Sequence, residues 1–218
     1  MRTKAEMHAL QSQINPHFLY NTLENIRATA LMRDAEDIAV LTEALSAMFR
    51  YSISSPGETA TIREELKNVN NYLLIQKYRF PGKINYYEEI EDPEALDYRL
   101  PVLTIQPIIE NAVNHGVEMC TGEGCIRFKM FMTDYHLVIR ISDNGAGMTQ
   151  EMIRSVMAGK ARNNGEDRYS TGIAVGNVID RLELYYKQKD LLTIESEGLG
   201  LGTSVHITLP VEVEGTSE

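Results

Sequence analysis

Cationic side chains are in short supply in this chain. Lys and Arg number 21 against 31 Asp and Glu, a formal net charge of −10. A duplex-DNA surface draws its affinity from Lys and Arg set against phosphates, so the balance argues against nucleic acid as a partner. It says nothing against one local cleft for a nucleotide. Cysteine is scarcer still: Cys120 and Cys125 are the only two. They make no disulfide framework, match no common zinc spacing, and point to a reducing compartment. No run of about 18 apolar residues occurs, so no segment reads as membrane-spanning. The N-terminal stretch MRTKAEMHALQSQ turns polar too soon for a signal peptide. What is present, 43% hydrophobic and 24% charged residues, belongs to a soluble globular chain.

From Thr3 to Met32 there is no glycine, and proline occurs once, at Pro16. Met7, Leu10, Ile14 and Phe18 fall on one helical face, and Leu19, Leu23 and Ile26 on a second. A helix with two apolar faces needs more than one neighbour. A second helix is expected over Ala35 to Ser52, with Ile38, Leu41, Leu45 and Met48 along one seam. Ser54-Ser55-Pro56-Gly57 breaks the chain. A third helix is expected over Ile62 to Arg79, ended by Phe80-Pro81-Gly82. The pattern then changes. Strands are expected over Lys83 to Ile90, Cys125 to Met132, Leu137 to Ser142, Leu191 to Glu197 and Ser204 to Leu209. Helices are expected over Leu103 to Val117, Gln150 to Ala158 and Val175 to Lys187. Gly159 to Thr171 reads as a mobile loop, and the acidic tail after Pro210 as frayed. The fold class is therefore α+β: a helical region over residues 1–80, then a mixed domain over 81–212.

Three stretches of the second region carry chemistry. Asp143-Asn144-Gly145-Ala146-Gly147 follows a strand. Its glycines allow a sharp turn and close backbone approach to a ligand, and its carboxylate can accept a hydrogen bond from an amino group. Alone, it fits an ordinary strand-ending turn as well. Glu110, Asn111, Asn114 and His115 cluster on an otherwise apolar helix, with Asn111 and His115 on one face and Glu110 and Asn114 on another; alone, the segment also fits a half-exposed amphipathic helix. An amide oxygen suits Mg²⁺, which prefers oxygen ligands and arrives with phosphates. Ser170 to Asn177 (STGIAVGN) places small residues ahead of a helix, where backbone N–H groups can meet a phosphate.

Together these stretches resemble the Bergerat-type ATP-binding fold of histidine kinases, type II topoisomerases, a heat-shock chaperone family and MutL mismatch-repair proteins. The order carries the resemblance: E-N-x-x-x-H on a helix, D-x-G-x-G after a strand, a loop, a glycine-bearing turn, then G-T before a last strand. It implies a two-layer α/β sandwich that binds Mg-ATP. In that frame Asn111 is the Mg²⁺ ligand, Asp143 reads adenine, and Glu110 is a candidate base or metal-shell residue. His115 lies near the phosphates, and Thr203 near the adenine. Gly145, Gly147 and Gly172 let loops fold over the nucleotide, with residues 159–171 as its lid. Two departures stand out. Ala174 occupies a position that is usually glycine, and Asn114 stands where relatives often carry Lys or Arg.

In the helical region, His17 lies in Gln11-Ser12-Gln13-Ile14-Asn15-Pro16-His17-Phe18-Leu19-Tyr20-Asn21-Thr22-Leu23. Alone, it reads as a half-buried bundle histidine. The string resembles the phosphoacceptor box of LytS/YehU-type sensor histidine kinases, as do Phe49-Arg50-Tyr51-Ser52 and residues 62–80. That resemblance implies that His17 is phosphorylated from ATP. Pro16 lacks an amide proton and disturbs the helix just before His17, so a bend there is expected to expose the ring, with Asn21 or Gln13, one turn away, to orient it. Phe18 replaces the acidic residue that often follows the histidine, which leaves Glu24 as the nearest carboxylate on that side. A homodimer is expected, because Leu10, Ile14, Phe18 and the Ile38 to Met48 seam need partners that a two-helix hairpin cannot fully supply. The same resemblance implies a response-regulator partner with an acceptor aspartate, and a cytoplasmic fragment of a protein anchored in the bacterial inner membrane by upstream segments. A nucleotide-binding dimeric scaffold, or an ATPase of the same fold without phosphohistidine, is the alternative.

Overall fold

Small side chains let the first two helices lie close. A computed structural model describes residues 16–54, 59–117, 122–158 and 170–211. Helix α1 (Pro16–Leu31) and helix α2 (Glu36–Ser54) bury Ala30, Ala39 and Ala44 with Thr42 and Ser46. The Thr42 hydroxyl donates to the Ile38 carbonyl at 2.7 Å, which makes a buried hydroxyl tolerable inside a helix. The turn between them uses Asp34 at φ 54° and a bond from Ala35 N to Ala30 O. Proline at the start of α1 suits a helix's first turn, where its missing N–H is not needed. The expected helix from Thr3, and the bend before Pro16, lie outside the described residues.

By its contacts the chain falls into two compact units. One comprises Met1–Pro56 and Asn70–Ile75; the other comprises Gly57–Val69 and Gln76–Glu218. Helix α3 (Ile62–Arg79) contributes to both. It starts on a capping box: Thr61 Oγ1 accepts from Glu64 N, and Glu64 Oε2 accepts from Thr61 N at 2.8 Å.

The second unit is built on a five-stranded sheet. Its strands are β2 (Ile84–Ile90), β4 (Gly124–Met132), β5 (His136–Asp143), β6 (Leu192–Glu195) and β7 (Thr203–Pro210), in the order β2-β4-β5-β7-β6. β2 runs parallel to β4, and the other pairs are antiparallel. Alternation decides the faces. Ile126, Phe128, Met130, Leu137, Ile139, Ile141, Val205, Ile207 and Leu209 are buried, whereas Arg127, Lys129 and Arg140 between them are not. The covering layer comes from α4 (Gln106–Asn111), α5 (Gln150–Met157) and α6 (Ser170–Tyr186), which bury Ile108, Ile109, Ile153, Val156, Val175, Val178 and Leu182. The class is α+β, as expected.

Several elements differ from the sequence expectations. A two-stranded ribbon of β1 (Thr59–Thr61) and β3 (Arg99–Pro101), and a 3-10 turn over Pro93–Asp97, were not foreseen. Three residues are too few for alternation to register. The helix expected from Leu103 starts at Gln106, because Leu103 takes φ 59°, outside helical space. Its last part, Ala112–Val117, is a π-helical turn. The helix expected from Val175 begins at Ser170. Ser170 to Ala174 is therefore helix, not the non-helical lead-in that was expected. Burial of Val175, Val178 and Leu182 at helical spacing holds the register, and tertiary packing outweighs the weak helix propensity of Gly172 and Gly176.

The start of α4 is fastened from two helices. Glu65 on α3 is wholly buried, and its carboxyl oxygens accept the N–H groups of Leu103 at 2.5 Å and Ile105 at 2.8 Å. Arg181 on α6 donates to the carbonyls of Val102 and Leu103. A turn with a left-handed residue thus has its buried polar groups matched by side chains.

Candidate functional site

Three backbone segments close on one another beyond the ends of β5 and β7. The loop after β5 runs Asn144-Gly145-Ala146-Gly147. Gly200 N donates to Ala146 O at 2.7 Å, and Gly202 N donates to Gly145 O at 3.2 Å, which joins that loop to the Gly198–Gly202 hairpin. Ala146 N donates to His115 O at 3.2 Å, which joins it to the π-helical turn. The approach leaves no room for side chains. A Cβ on Gly147 (φ 64°) would stand 2.0 Å from the Gly198 carbonyl oxygen, and one on Gly202 (φ 76°) would stand 2.1 Å from the Asp143 carbonyl oxygen. Gly145 is buried on a non-left-handed backbone.

Asp143 and Thr203 stand directly opposite each other in the β5–β7 register. Burial raises the Asp143 carboxyl to about 6, opposed by backbone hydrogen bonds from Gly145 and Thr203. The Gly145 bond is 2.8 Å long. A half-buried carboxyl at a strand end is an acceptor for an amino group on a planar ligand.

Glu110 and Asn111 end α4, both half-buried; His115 is half-buried and Asn114 exposed. The π turn advances less per residue than an α-helix, so the expected facing of Asn111 with His115 and of Glu110 with Asn114, counted at helical period, does not carry past Ala112. Single π turns recur at functional sites. Asn111 Nδ2 is buried with no hydrogen-bond partner. An unpaired buried amide costs about 1–3 kcal/mol, so Asn111 is not placed there for the fold's benefit. The Glu110 and Asn111 oxygens are hard donors that fit Mg²⁺. Among the described residues no group of three His, Cys, Asp or Glu side chains could hold a metal. An ion here would take most of its ligands from phosphate and water, the usual habit of Mg²⁺.

Gly172 lies within α6, and Ala174 is half-buried on the same helix. Residues 159–169 of the expected lid lie outside the described residues. The sequence reading missed two polar residues. Asn144 ties the loop to β4 by accepting from Cys125 N at 2.7 Å and donating to Glu123 O at 3.1 Å. Ser196 accepts from Met148 N at 2.9 Å and donates to Gly202 O at 2.6 Å, which fastens the hairpin to the loop. Asn144 sits within the Asp143–Gly147 stretch but with no role legible there, and Ser196 lies in no pattern along the chain; only the convergence of distant segments marks what they do.

In the first unit His17 is exposed on the first turn of α1, not half-buried. Asn21 Nδ2 lies 3.3 Å from His17 Nδ1 and 3.5 Å from Nε2, which restrains the ring. Glu24 is engaged by Arg27 at 3.6 Å. Arg50 stacks over Tyr20, 5.6 Å from the ring centroid. Gln13 lies outside the described residues.

Comparison with known proteins decides the family. Residues 5–84 match the histidine kinase family model, and residues 97–213 match that of the histidine kinase-, DNA gyrase B- and HSP90-like ATPases. The chain belongs to the histidine kinases. It is 34% identical over 97% of its length to the sensor histidine kinase YesM of Bacillus subtilis, and 38% identical over 69% to the sensor histidine kinase BtsS of Escherichia coli. It is 31% identical over 95% to the sensor protein LytS of Oceanobacillus iheyensis. This histidine kinase chain spans about a third of YesM and LytS and about a quarter of BtsS. A nucleotide-free catalytic domain of the histidine kinase ThkA shares the fold, with a TM-score of 0.52 at 13% identity over 70% of this chain and 95% of that one. No helix among the described residues is long and apolar enough to cross a membrane.

Two predictions test this geometry. Gly82 has a similar φ of +70° but nothing within 4 Å of an added Cβ. Gly82→Ala should cost about 1–2 kcal/mol, the strain of a left-handed Ala. Gly147→Ala should cost at least about 2 kcal/mol more, from overpacking against backbone, in urea unfolding. Asp143 gives a pH signature. Its folded value is raised, so its stabilising contribution is complete below about pH 4, where the unfolded chain is also protonated, and is lost as pH rises through about 6. The stability of the parent minus that of Asp143→Asn should therefore fall by about 2 kcal/mol from pH 4 to pH 7.

Proposed function

We propose that this chain holds the phosphoacceptor and catalytic parts of a two-component sensor kinase. In this reading it autophosphorylates His17 from Mg-ATP and passes the phosphoryl group to an aspartate of a response regulator. Residues 1–80 serve dimerisation and phosphotransfer, and residues 81–212 bind the nucleotide. The observation that carries the reading is Asp143 facing Thr203 at the ends of β5 and β7, above a glycine backbone too close for any Cβ.

Asp143 accepts the amino group of adenine, and Thr203 lies beside the ring. Backbone N–H groups of the glycine loops and the Asn114 and His115 side chains line the phosphates. Gly172, near the start of α6, serves the closing of the lid. Asn111 would ligate the Mg²⁺, which would offset charge on the phosphate oxygens, and Glu110 would stand as candidate base or metal-shell residue. A neutral imidazole nitrogen of His17 attacks the γ-phosphorus in line. The new N–P bond forms as the bond to the β-phosphate oxygen breaks; ADP leaves with that electron pair, and the ring's remaining N–H proton goes to a base or water. Asn21 limits the rotation of the ring before attack. Phe18, Ile26, Ile38 and Leu45 are exposed on α1 and α2, the kind of surface a homodimer covers. The family supports a cytoplasmic position for this fragment within a membrane-anchored protein.

Incubation with γ-labelled ATP and Mg²⁺ tests the reading. Label on the parent should be acid-labile and alkali-stable, and absent from His17→Gln. ATP bound with neither protein labelled, or label retained by the variant, would overturn it.

A further inference from the structure

Two buried side-chain amides lie behind Glu110. Gln106 opens α4, four residues before Glu110, so the two stack on one face. Gln106 Nε2 donates to Glu110 Oε1 at 2.6 Å. Gln106 Oε1 accepts from Asn68 Nδ2 on α3. Asn68 is 2% exposed and Gln106 is 6% exposed. The direction of this chain is fixed from its Glu110 end. A carboxylate oxygen accepts, so Gln106 must present its NH₂ to Glu110 and its oxygen to Asn68, and Asn68 must then present its own NH₂. The consequence is visible: Asn68 Oδ1 is buried with no hydrogen-bond partner.

An apolar pair at these positions would spare the fold that orphaned acceptor and the desolvation of two amides. The amides are therefore poorly explained by stability. What they deliver is one oriented N–H at Glu110. We propose that Gln106 and Asn68 are positioning residues, a hydrogen-bonded relay from α3 that fixes the direction of the Glu110 carboxylate for its work at the nucleotide. The inference rests on the reading of Glu110 as base or metal-shell residue. Gln106 acts directly on the carboxylate, and Asn68 acts through Gln106. Both belong to the same compact unit as Glu110.

A double-mutant cycle tests the relay. His17 labelling rates, Mg-ADP titrations and thermal midpoints are measured for the parent, Gln106→Leu, Glu110→Gln and the double variant. Gln106→Leu should lower kcat by about 10–100-fold, the usual cost of losing a partner that orients a ligand. KM for ATP and the Mg-ADP dissociation constant should move by less than about threefold. In the Glu110→Gln background, Gln106→Leu should cost nothing further. Asn68→Leu should give a smaller fall of the same kind, and it carries the test if Gln106→Leu does not fold. A parent-like rate in Gln106→Leu, or the same fall repeated without the carboxylate, would overturn the relay and leave the role of Glu110 standing. A parent-like rate in Glu110→Gln would overturn both.

Discussion

The site depends on one steric constraint: the loop after β5 and the hairpin before β7 touch backbone to backbone. Gly147 meets the Gly198 carbonyl and Gly202 meets the Asp143 carbonyl at distances no Cβ could occupy. Hydrogen bonds from Gly200 and Gly202 to the loop carbonyls then become possible. Ser196 reinforces that contact, and Asn144 ties the loop to β4. Because β5 and β7 pair up to Asp143 and Thr203, the closed loops hold those two residues opposite each other. The sheet thus sets the register and the glycines set the depth.

The second part of the candidate site is α4, and it is short. Six residues of α-helix and one π turn cannot hold themselves in place by propensity. Glu65 and Arg181 supply the anchorage by satisfying the amides and carbonyls of residues 102–105. Burying a carboxyl is costly unless hydrogen bonds compensate, and two backbone N–H groups meet that condition. The same stretch carries Gln106, Glu110 and Asn111, so a structural fastening and the candidate chemistry share residues 102–111.

Long periodic elements were legible along the chain. Ile62–Arg79 has its limits written in Thr61 with Glu64 at one end and Phe80-Pro81-Gly82 at the other. The five sheet strands followed from alternation between turn residues. The short ribbon of β1 and β3 was not legible, because its pairing links residues about forty apart. The early start of α6 was misread because its glycines suggest a turn, whereas packing of Val175 and Val178 decides the matter. In the site, motif order pointed to Glu110, Asn111, Asp143 and Thr203. Register brings Asp143 and Thr203 together, and α4 carries the other two as its last two residues. The roles of Asn144, Ser196, Gln106 and Asn68 stayed hidden, since each has at least one partner far away in sequence.

The most direct measurement is amide hydrogen exchange on this chain with and without Mg-ADP. If α4, the π turn and the glycine loops form the nucleotide site, protection should rise in residues 106–117, 143–148 and 196–204, while β2 and β4 change little. Protection confined to other segments, or no change at a saturating concentration, would contradict the account.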